Sequence, residues 1–163
     1  MPFTLDADAI LAAITTIARA HVTGVRVAFD YDEWPDAPPA IHNASQAVHL
    51  TGFPGEDGTG FLYQYGGSDL AIWTMRVPLY TVVADSATTS RARAWALPYV
   101  ARYPEAFRAH IHLDGAITAG SVSFDEEARI VRALGDDWPG YDGFYIVRHV
   151  LTVVTKGGVT NAA

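Results

Sequence analysis

Cysteine is absent from this chain of 163 residues, and lysine occurs only once, at position 156. Without cysteine the chain cannot form disulfides, thiolate metal sites or a cysteine nucleophile. Lys156 follows no glycine-rich loop, which excludes a nucleotide-binding P-loop. No apolar run approaches the roughly 20 residues of a membrane-spanning helix, and no basic region precedes an apolar one at the start. We therefore expect no signal peptide, no membrane partner and nothing that directs the chain out of the cytoplasm.

The chain is acidic, with a formal net charge of −7 and no basic run. Such a surface is poorly suited to gripping a phosphate backbone, although DNA can pass close to it without binding. Half of the residues are hydrophobic and 12% are aromatic, which is typical of a globular chain. The length predicts a single domain spanning residues 1–163.

The longest apolar segment, Leu70–Ala84, has an almost wholly apolar set of alternate residues, which predicts a strand. A helix is expected from about Thr89, with an apolar stripe at Ala92, Trp95, Ala96, Tyr99, Val100 and Tyr103. Pro98 predicts a kink near Leu97, and Pro104–His110 predicts a further helical turn opened by proline. A strand and a helix that each present one apolar face form the nucleus of a two-layer domain.

The N-terminal part of the chain predicts a helix followed by strands. Leu5–His21 has one apolar stripe and begins with Asp6 as a suitable N-cap. Val25–Tyr31 alternates apolar and polar residues, as a half-buried strand does. Short strands are expected at Ala40–His42 and Ala47–Leu50.

A β-hairpin is predicted where Phe61–Tyr65 and Leu70–Ala84 flank a Gly66-Gly67 turn. Pro78 lies inside the second arm and has no N–H to donate to a neighbouring strand. We therefore expect an edge position or a bulge at this point of the arm.

The C-terminal part of the chain predicts three more segments. Ala116–Phe124 is expected to be a strand interrupted by Gly120. Asp125–Leu134 is ambiguous: its terminal residues favour a helix, but its place between strands favours a strand, which we expect over Arg129–Ala133. Phe144–Thr155 is apolar on both faces and is expected to be a central strand. The elements predict an α+β fold: a mainly antiparallel sheet of four to six strands, with the N-terminal helix and a central helical segment packed on one face.

Two groups of residues have ligand types that suit a cation. His110 and His112 would share one face of an extended segment, with Asp114 as the only local third ligand. Histidine pairs of this kind more often cap helix ends or lie in solvent. Asp136, Asp137 and Asp142 lie in a glycine-containing loop and suggest calcium, but they lack EF-hand spacing and are more typical of a solvated turn.

Catalytic motifs are not evident in the sequence. Asp30, Asp32, Glu33 and Asp36 offer a general acid and base, but no nucleophile elbow or oxyanion glycine pattern accompanies them. The glycines of residues 55–60 surround acidic residues and lack the strand and helix that bracket a dinucleotide-binding loop. We expect no enzymatic activity and no cofactor.

Two loop tryptophans are the best local signals in the chain for an oligomer or docking surface. Trp34 and Trp138 lie in proline-containing loops, where each either contacts a partner or folds back onto the core. The second face of the long strand is too apolar for open solvent, and we expect its part around Arg76–Tyr80 to contact a neighbouring subunit. Replacement of Tyr80 by aspartate should then impair assembly more than folding. The expected oligomer or partner contacts are Trp34, Arg76, Tyr80, Trp138 and Tyr141.

The order of elements carries a resemblance to a known family. A helix leads into the strand VTGVRVAFDY and then into a proline-rich crossover, PDAPPAI. A long hairpin arm ends in RVPLYTVVADS, and the helix TTSRARAWALPYVARYP follows at once. The segment LDGAITAGSVSF and the C-terminal strand FYIVRHVLTVV complete the pattern. This pattern resembles the tail terminator family of long-tailed bacteriophages, also called minor tail protein U-like or tail completion proteins. The resemblance covers most of the chain and lies in the order of its elements.

The resemblance implies a structural virion protein without a cofactor. Its subunits would assemble into a ring, typically a hexamer in this family, that caps the tail tube, stops its polymerisation and joins the tail to the connector at the neck. The implied partners are further copies of the chain, the tail tube protein and the connector protein, with DNA passing through the channel. The implied location is the tail or neck of the virion, after assembly in the host cytoplasm.

Two alternatives to a terminator remain open. Another head–tail joining or tail tube protein would have a similar organisation. A small enzyme or ligand-binding domain would instead use the loop carboxylates and His110 and His112, and predicts a concave pocket with convergent polar groups.

Overall fold

The computed structural model describes residues 5–39, 46–56, 58–65, 70–83, 89–117 and 119–158. Its helices are α1 (Ala7–His21), α2 (Thr89–Ala96) and α3 (Tyr99–Arg108), with 3-10 turns at Leu113–Gly115 and Gly135–Asp137. Its strands are β1 (Val25–Phe29), β2 (Ala47–Thr51), β3 (Gly60–Tyr65), β4 (Leu70–Val83), β5 (Gly120–Ser123), β6 (Arg129–Arg132) and β7 (Tyr145–Gly158). Within this part of the chain, no helix combines the length and apolar character needed to cross a membrane.

Two long antiparallel strands form the centre of the sheet. β4 and β7 pair along their whole length, from Leu70 opposite Gly158 to Val83 opposite Tyr145. On the outer side of β4, β2 and β3 follow one another end to end; on the outer side of β7, β6 and β5 do the same. β1 adds to β2 in parallel. The predicted α+β fold with a mainly antiparallel sheet is confirmed, with seven strands rather than four to six.

The N-terminal helix forms where its cap and stripe predict it. The carboxylate of Asp6 accepts the N–H of Ala9 at 3.1 Å, which satisfies one of the free donors of the first turn. Ile10, Ile14 and Ile17 are buried in the core on the helix side of the sheet. The helix ends at His21, where the backbone of Val22 becomes extended.

The predicted break of the central helical segment near Leu97 is confirmed, since α2 ends at Ala96 and α3 starts at Tyr99. The prediction that Pro104 opens a separate turn is wrong, because Pro104 lies inside α3. A proline there leaves the carbonyl of Val100, four residues back, without its helical donor. Nε2 of His149 on β7 lies 3.2 Å from this carbonyl and supplies the missing hydrogen bond.

Pro78 lies in the central strand β4, so the prediction of an edge strand is wrong. The carbonyl of Pro78 accepts the N–H of Gly52 at 2.7 Å, which shows that its backbone polar groups face away from β7. On that side β2 has paired as far as Leu79 and β3 begins only at Arg76. The missing N–H therefore faces the gap between two end-to-end strands, where no ladder bond is required.

The remaining strand predictions are partly confirmed. β2, β6, β7 and the pairing of β3 with β4 form as predicted, and the helix alternative for Asp125–Leu134 is wrong. Ala116–Phe124 contributes only Gly120–Ser123, as β5. The predicted strand at 40–42 and the Gly66-Gly67 turn lie outside the described residues.

The sheet buries apolar side chains on both faces. On one face the three helices cover Met75, Val77 and Leu79 of β4. On the other, Tyr80 and Val82 pack against residues of two loops rather than against helices. This loop-covered face holds most of the residues that the sequence singles out for contacts.

Candidate functional site

Four of the five predicted contact residues form one aromatic cluster. Trp34 and Trp138 stack with ring centroids 5.9 Å apart, and both meet the Tyr80 ring edge-on, at 5.6 and 4.9 Å. Tyr141 meets Trp138 at 5.9 Å. Both tryptophans thus fold back onto the sheet and stay half-exposed, whereas Tyr80 is only 3% exposed. The chain itself covers the Tyr80 face; whether the half-exposed rings also contact a partner stays a prediction.

Hydrogen bonds hold the two loops that carry this cluster. Nε1 of Trp34 donates to the carbonyl of Thr51 at 2.9 Å, and the hydroxyl of Tyr141 donates to the carbonyl of Pro35 at 2.7 Å. Gly140 has a φ of 83° and lies so close to the other loop that a Cβ atom would overlap the carbonyl oxygen of Asp36. Only glycine fits at this junction, so the loops form one rigid cover over the sheet.

Replacement of Gly140 by alanine is expected to lower the free energy of unfolding by more than about 3 kcal/mol, because backbone strain adds to a steric overlap. Gly58→Ala is the matched control, since Gly58 also has a positive φ, of 75°, but nothing lies within 4 Å of its Cβ position. The control should lose only about 1 kcal/mol. Urea unfolding of both variants measures the difference, and equal losses would contradict the close packing of the loops.

Arg76, the fifth predicted contact residue, lies apart from the aromatic cluster in an ion-pair group. Its guanidinium lies 3.4 Å from the carboxylate of Asp125 and 3.2 Å from that of Glu126. Thr152 donates a 2.7 Å hydrogen bond to Asp125. This bond and, after it, the charge of Arg76 lower the pKa of Asp125. All three charged side chains are partly exposed, so solvent screens the pairs.

An open groove connects Arg76's ion-pair group to the aromatic cluster. It encloses about 600 Å³. Its lining includes Tyr80 and Trp138 at one end, Asp125 and Glu126 at the other, and Arg148 of β7. Carboxylates and guanidiniums both line the groove, and its described lining residues include no serine, threonine or histidine.

The largest exposed apolar surface of the described residues belongs to β3. Phe61, Leu62, Tyr63 and Tyr65 are 46, 53, 38 and 73% exposed. The ring of Tyr63 packs on Trp73 of β4 at 4.6 Å. Within the described residues neither face of β3 is covered, because the helices and loops cover other parts of the sheet. The sequence predicted β3 as an arm of a hairpin, and it contained no signal that this arm would be exposed.

A buried polar network crosses the helix side of the core. Thr15 donates to the carbonyl of Leu11 (3.0 Å), so its oxygen accepts from Thr51 (2.7 Å). Thr51 then accepts from Nε2 of His49 (2.8 Å), and Nδ1 of His49 accepts from the hydroxyl of Tyr103 (2.7 Å). Each donor finds an acceptor only if His49 is neutral with its proton on Nε2.

Burial lowers the pKa of both core histidines. For His49 the pKa falls to about 3, with smaller contributions from the charges of His149 and Arg19. For His149 it falls to about 4, opposed by the hydrogen bond to the carbonyl of Val100. Desolvation disfavours the charged imidazolium, so both rings stay neutral in the folded protein. With exposures of 0 and 2%, neither ring reaches solvent, so the pair serves the core rather than a site.

The predicted cation ligands are only partly brought together. His110 and Asp114 are in contact, but the third member of their cluster is His21 rather than His112. Asp136, Asp137 and Asp142 do not form such a cluster in the described part of the chain. Asp30, Asp32 and Glu33 do lie together. Burial, and after it the charges of these neighbours, raises the pKa of Asp30. The hydrogen bond that its carboxylate accepts from the N–H of Tyr31 opposes this rise.

Models of known protein families give no match to this chain, and curated protein sequences give none either. A proposal for its function therefore rests on the geometry of its surfaces and on the resemblance in the order of its elements.

Proposed function

We propose that this chain is a structural protein of a bacteriophage tail, a terminator subunit that assembles with its own copies into a ring. The observation that carries the proposal is the exposed edge strand β3. Among the described strands it pairs only with β4, so its outer row of N–H and C=O groups is available for another chain.

The edge of β3 lacks every common protection against pairing. Monomeric proteins protect their edge strands with charged side chains, proline or a bulge. β3 reads GFLYQY, without charge or proline, and pairs with β4 in regular register from Gly60 to Tyr65. Four large apolar side chains on such an edge mark a surface that is covered in the working form of the protein.

A second copy is the occupant that the topology favours. The same end of the sheet has β3 at one edge and β5 at the other, with β4 and β7 between them. Pairing of β3 in one subunit with β5 in the next joins two different surfaces. Such head-to-tail contacts close into rings when the rotation between subunits permits.

The proposed role follows from the resemblance together with this interface. The ring, proposed to be a hexamer, ends the tail tube and joins it to the connector at the neck, with tube and connector proteins as partners. The net charge of −7 suits a channel that DNA passes without binding. Another head–tail joining or tail tube protein would use the same edge and remains the alternative.

Assembly is tested by native mass spectrometry and negative-stain microscopy of the purified chain, alone and with tail tubes. Leu62→Asp places a charge on the β3 edge at a side chain that is 53% exposed. It is expected to reduce the ring fraction at least tenfold, while thermal unfolding of the monomer changes little. Leu97→Asp is the matched control, because Leu97 is also an exposed leucine, at 63%, but lies outside the hairpin. This variant should assemble as the parent chain does.

A strict monomer that also fails to add to tail tubes would overturn the proposal. Rings that survive Leu62→Asp would retain self-assembly but place the interface elsewhere. A monomer that binds a small molecule in the groove near Arg148 would instead favour the ligand-binding alternative.

A further inference from the structure

We propose that His21, His110 and Asp114 form a binding site for a divalent transition metal of the zinc type. The rings of His21 and His110 lie with centroids 4.1 Å apart, and Nδ1 of His110 lies 2.7 Å from a carboxylate oxygen of Asp114. One ligand atom from each of the three residues lies within 4.8 Å of the other two.

Two separate segments bring these side chains together. His21 is the last residue of α1, while His110 and Asp114 belong to the turn that follows α3 and includes the 3-10 turn at Leu113–Gly115. Backbone hydrogen bonds hold this turn, from the N–H of His110 to Phe107 and from the N–H of Leu113 to His110, both at 2.9 Å. The ligand positions are therefore set by the fold.

Two residues of this turn have the left-handed backbone conformation, which residues other than glycine seldom adopt. Leu113 and Asp114 have φ values of 49° and 53°, and they are the only non-glycine residues with positive φ in the described part of the chain. The side chain of Leu113 is fully buried and anchors the turn in the core. This left-handed conformation returns the carboxylate of Asp114 to His110.

The donor set and the spacing suit zinc. Two imidazole nitrogens and one carboxylate oxygen are the ligands of many open zinc sites, with bond lengths of about 2.0–2.2 Å. Tetrahedral geometry with such bonds places the ligand atoms about 3.3 Å apart. The observed 2.7 Å contact is shorter than this value and all three ligand atoms lie within 4.8 Å of one another, so small side-chain rotations would bring them to it. The ion would take the place of the hydrogen bond between His110 and Asp114.

Electrostatics and exposure support a cation at this place. Both α1 and α3 end next to the cluster, and the C-terminal end of a helix carries a partial negative charge. His21 and Asp114 are exposed, which leaves a fourth coordination position open to water. The site is independent of the β3 edge, and its test does not depend on ring formation.

Thermal unfolding of the full chain with zinc sulfate or with EDTA tests the proposal, together with calorimetric titration. Zinc at about one hundred times its dissociation constant is expected to raise the melting temperature by about 5 °C or more, with one ion bound per chain. His110→Gln and Asp114→Asn should each abolish most of this shift. His112→Gln is the matched control, since His112 lies on the same turn outside the cluster.

The readout is the zinc-dependent shift, so a variant that is less stable without metal still reports on the site. His21→Gln provides a second test on a separate element. Three results would overturn the proposal: no shift with the parent chain, an undiminished shift in His110→Gln, or an equal loss in His112→Gln. Magnesium should give no shift, because it prefers oxygen ligands.

Discussion

Replacement of Tyr80 by aspartate is expected to unfold most of the protein at neutral pH. The Tyr80 side chain is 3% exposed and its ring meets both Trp34 and Trp138 edge-on. Aspartate would remove these contacts and place an unpaired charge beneath two loops, a loss of at least about 4 kcal/mol. That loss is close to the whole stability of many domains. Tryptophan fluorescence during urea unfolding measures it directly, because both tryptophans flank the site.

Tyr80→Phe is the matched control for this substitution. It keeps the ring and its packing, and it should lower the free energy of unfolding by about 1 kcal/mol. The sequence alone predicted that Tyr80→Asp impairs assembly more than folding, and burial within the chain reverses that expectation. A Tyr80→Asp variant that folds normally but fails to form rings would restore the subunit-contact interpretation.

Stability is expected to fall steeply as the pH drops below about 6.5. His49 and His149 are neutral in the folded protein, with pKa values of about 3 and about 4. In the unfolded chain histidine ionises near 6.5. Their contribution is therefore fully present above about pH 6.5 and is lost as the pH falls toward the folded-state pKa values. Each histidine lowers the free energy of unfolding by about 1.36 kcal/mol for each pH unit in this window, so the pair lowers it by about 2.7 kcal/mol per pH unit.

Urea unfolding at several pH values between about 5 and about 7.5 measures this slope above the range in which most carboxylates titrate. His149→Gln keeps a donor for the carbonyl of Val100 but does not ionise, so it should halve the slope. A stability that stays constant down to about pH 5 would show that the folded protein accommodates charged histidines.

Local patterns in the sequence predicted most of the elements, because each depends on its own residues. Asp6 and the isoleucine stripe suffice for α1, alternation suffices for β1, and a run that is apolar on both faces suffices for β7. The roles of Pro78 and Pro104 were not predictable in this way. Pro78 is tolerated because two other strands end beside it, and Pro104 because His149 on a distant strand bonds the carbonyl that it leaves free.

The candidate surfaces show the same limit. Trp34, Tyr80 and Trp138 were each recognisable, but only the fold shows that they meet and cover one another. His110 and His112 were predicted as a pair with Asp114 as the third ligand, but the fold replaces His112 by His21, which belongs to an element far away along the chain. Exposure of β3 depends on where the helices stop, which no pattern within residues 60–65 contains.

The gap at Pro78 has a mechanical consequence. At one end of the two long strands, β2 pairs with β4, β1 pairs with β2, and β6 pairs with β7. At the other end, β3 pairs with β4 and β5 pairs with β7. Of the described strands, only β4 and β7 run through both ends and therefore connect the β3 end to the end that holds His49 and His149, while α3 packs against both β5 and β7. Local opening free energies differ within one protein, and weakly covered parts open first. The exposed strand β3 is therefore expected to open before the end that holds the two histidines.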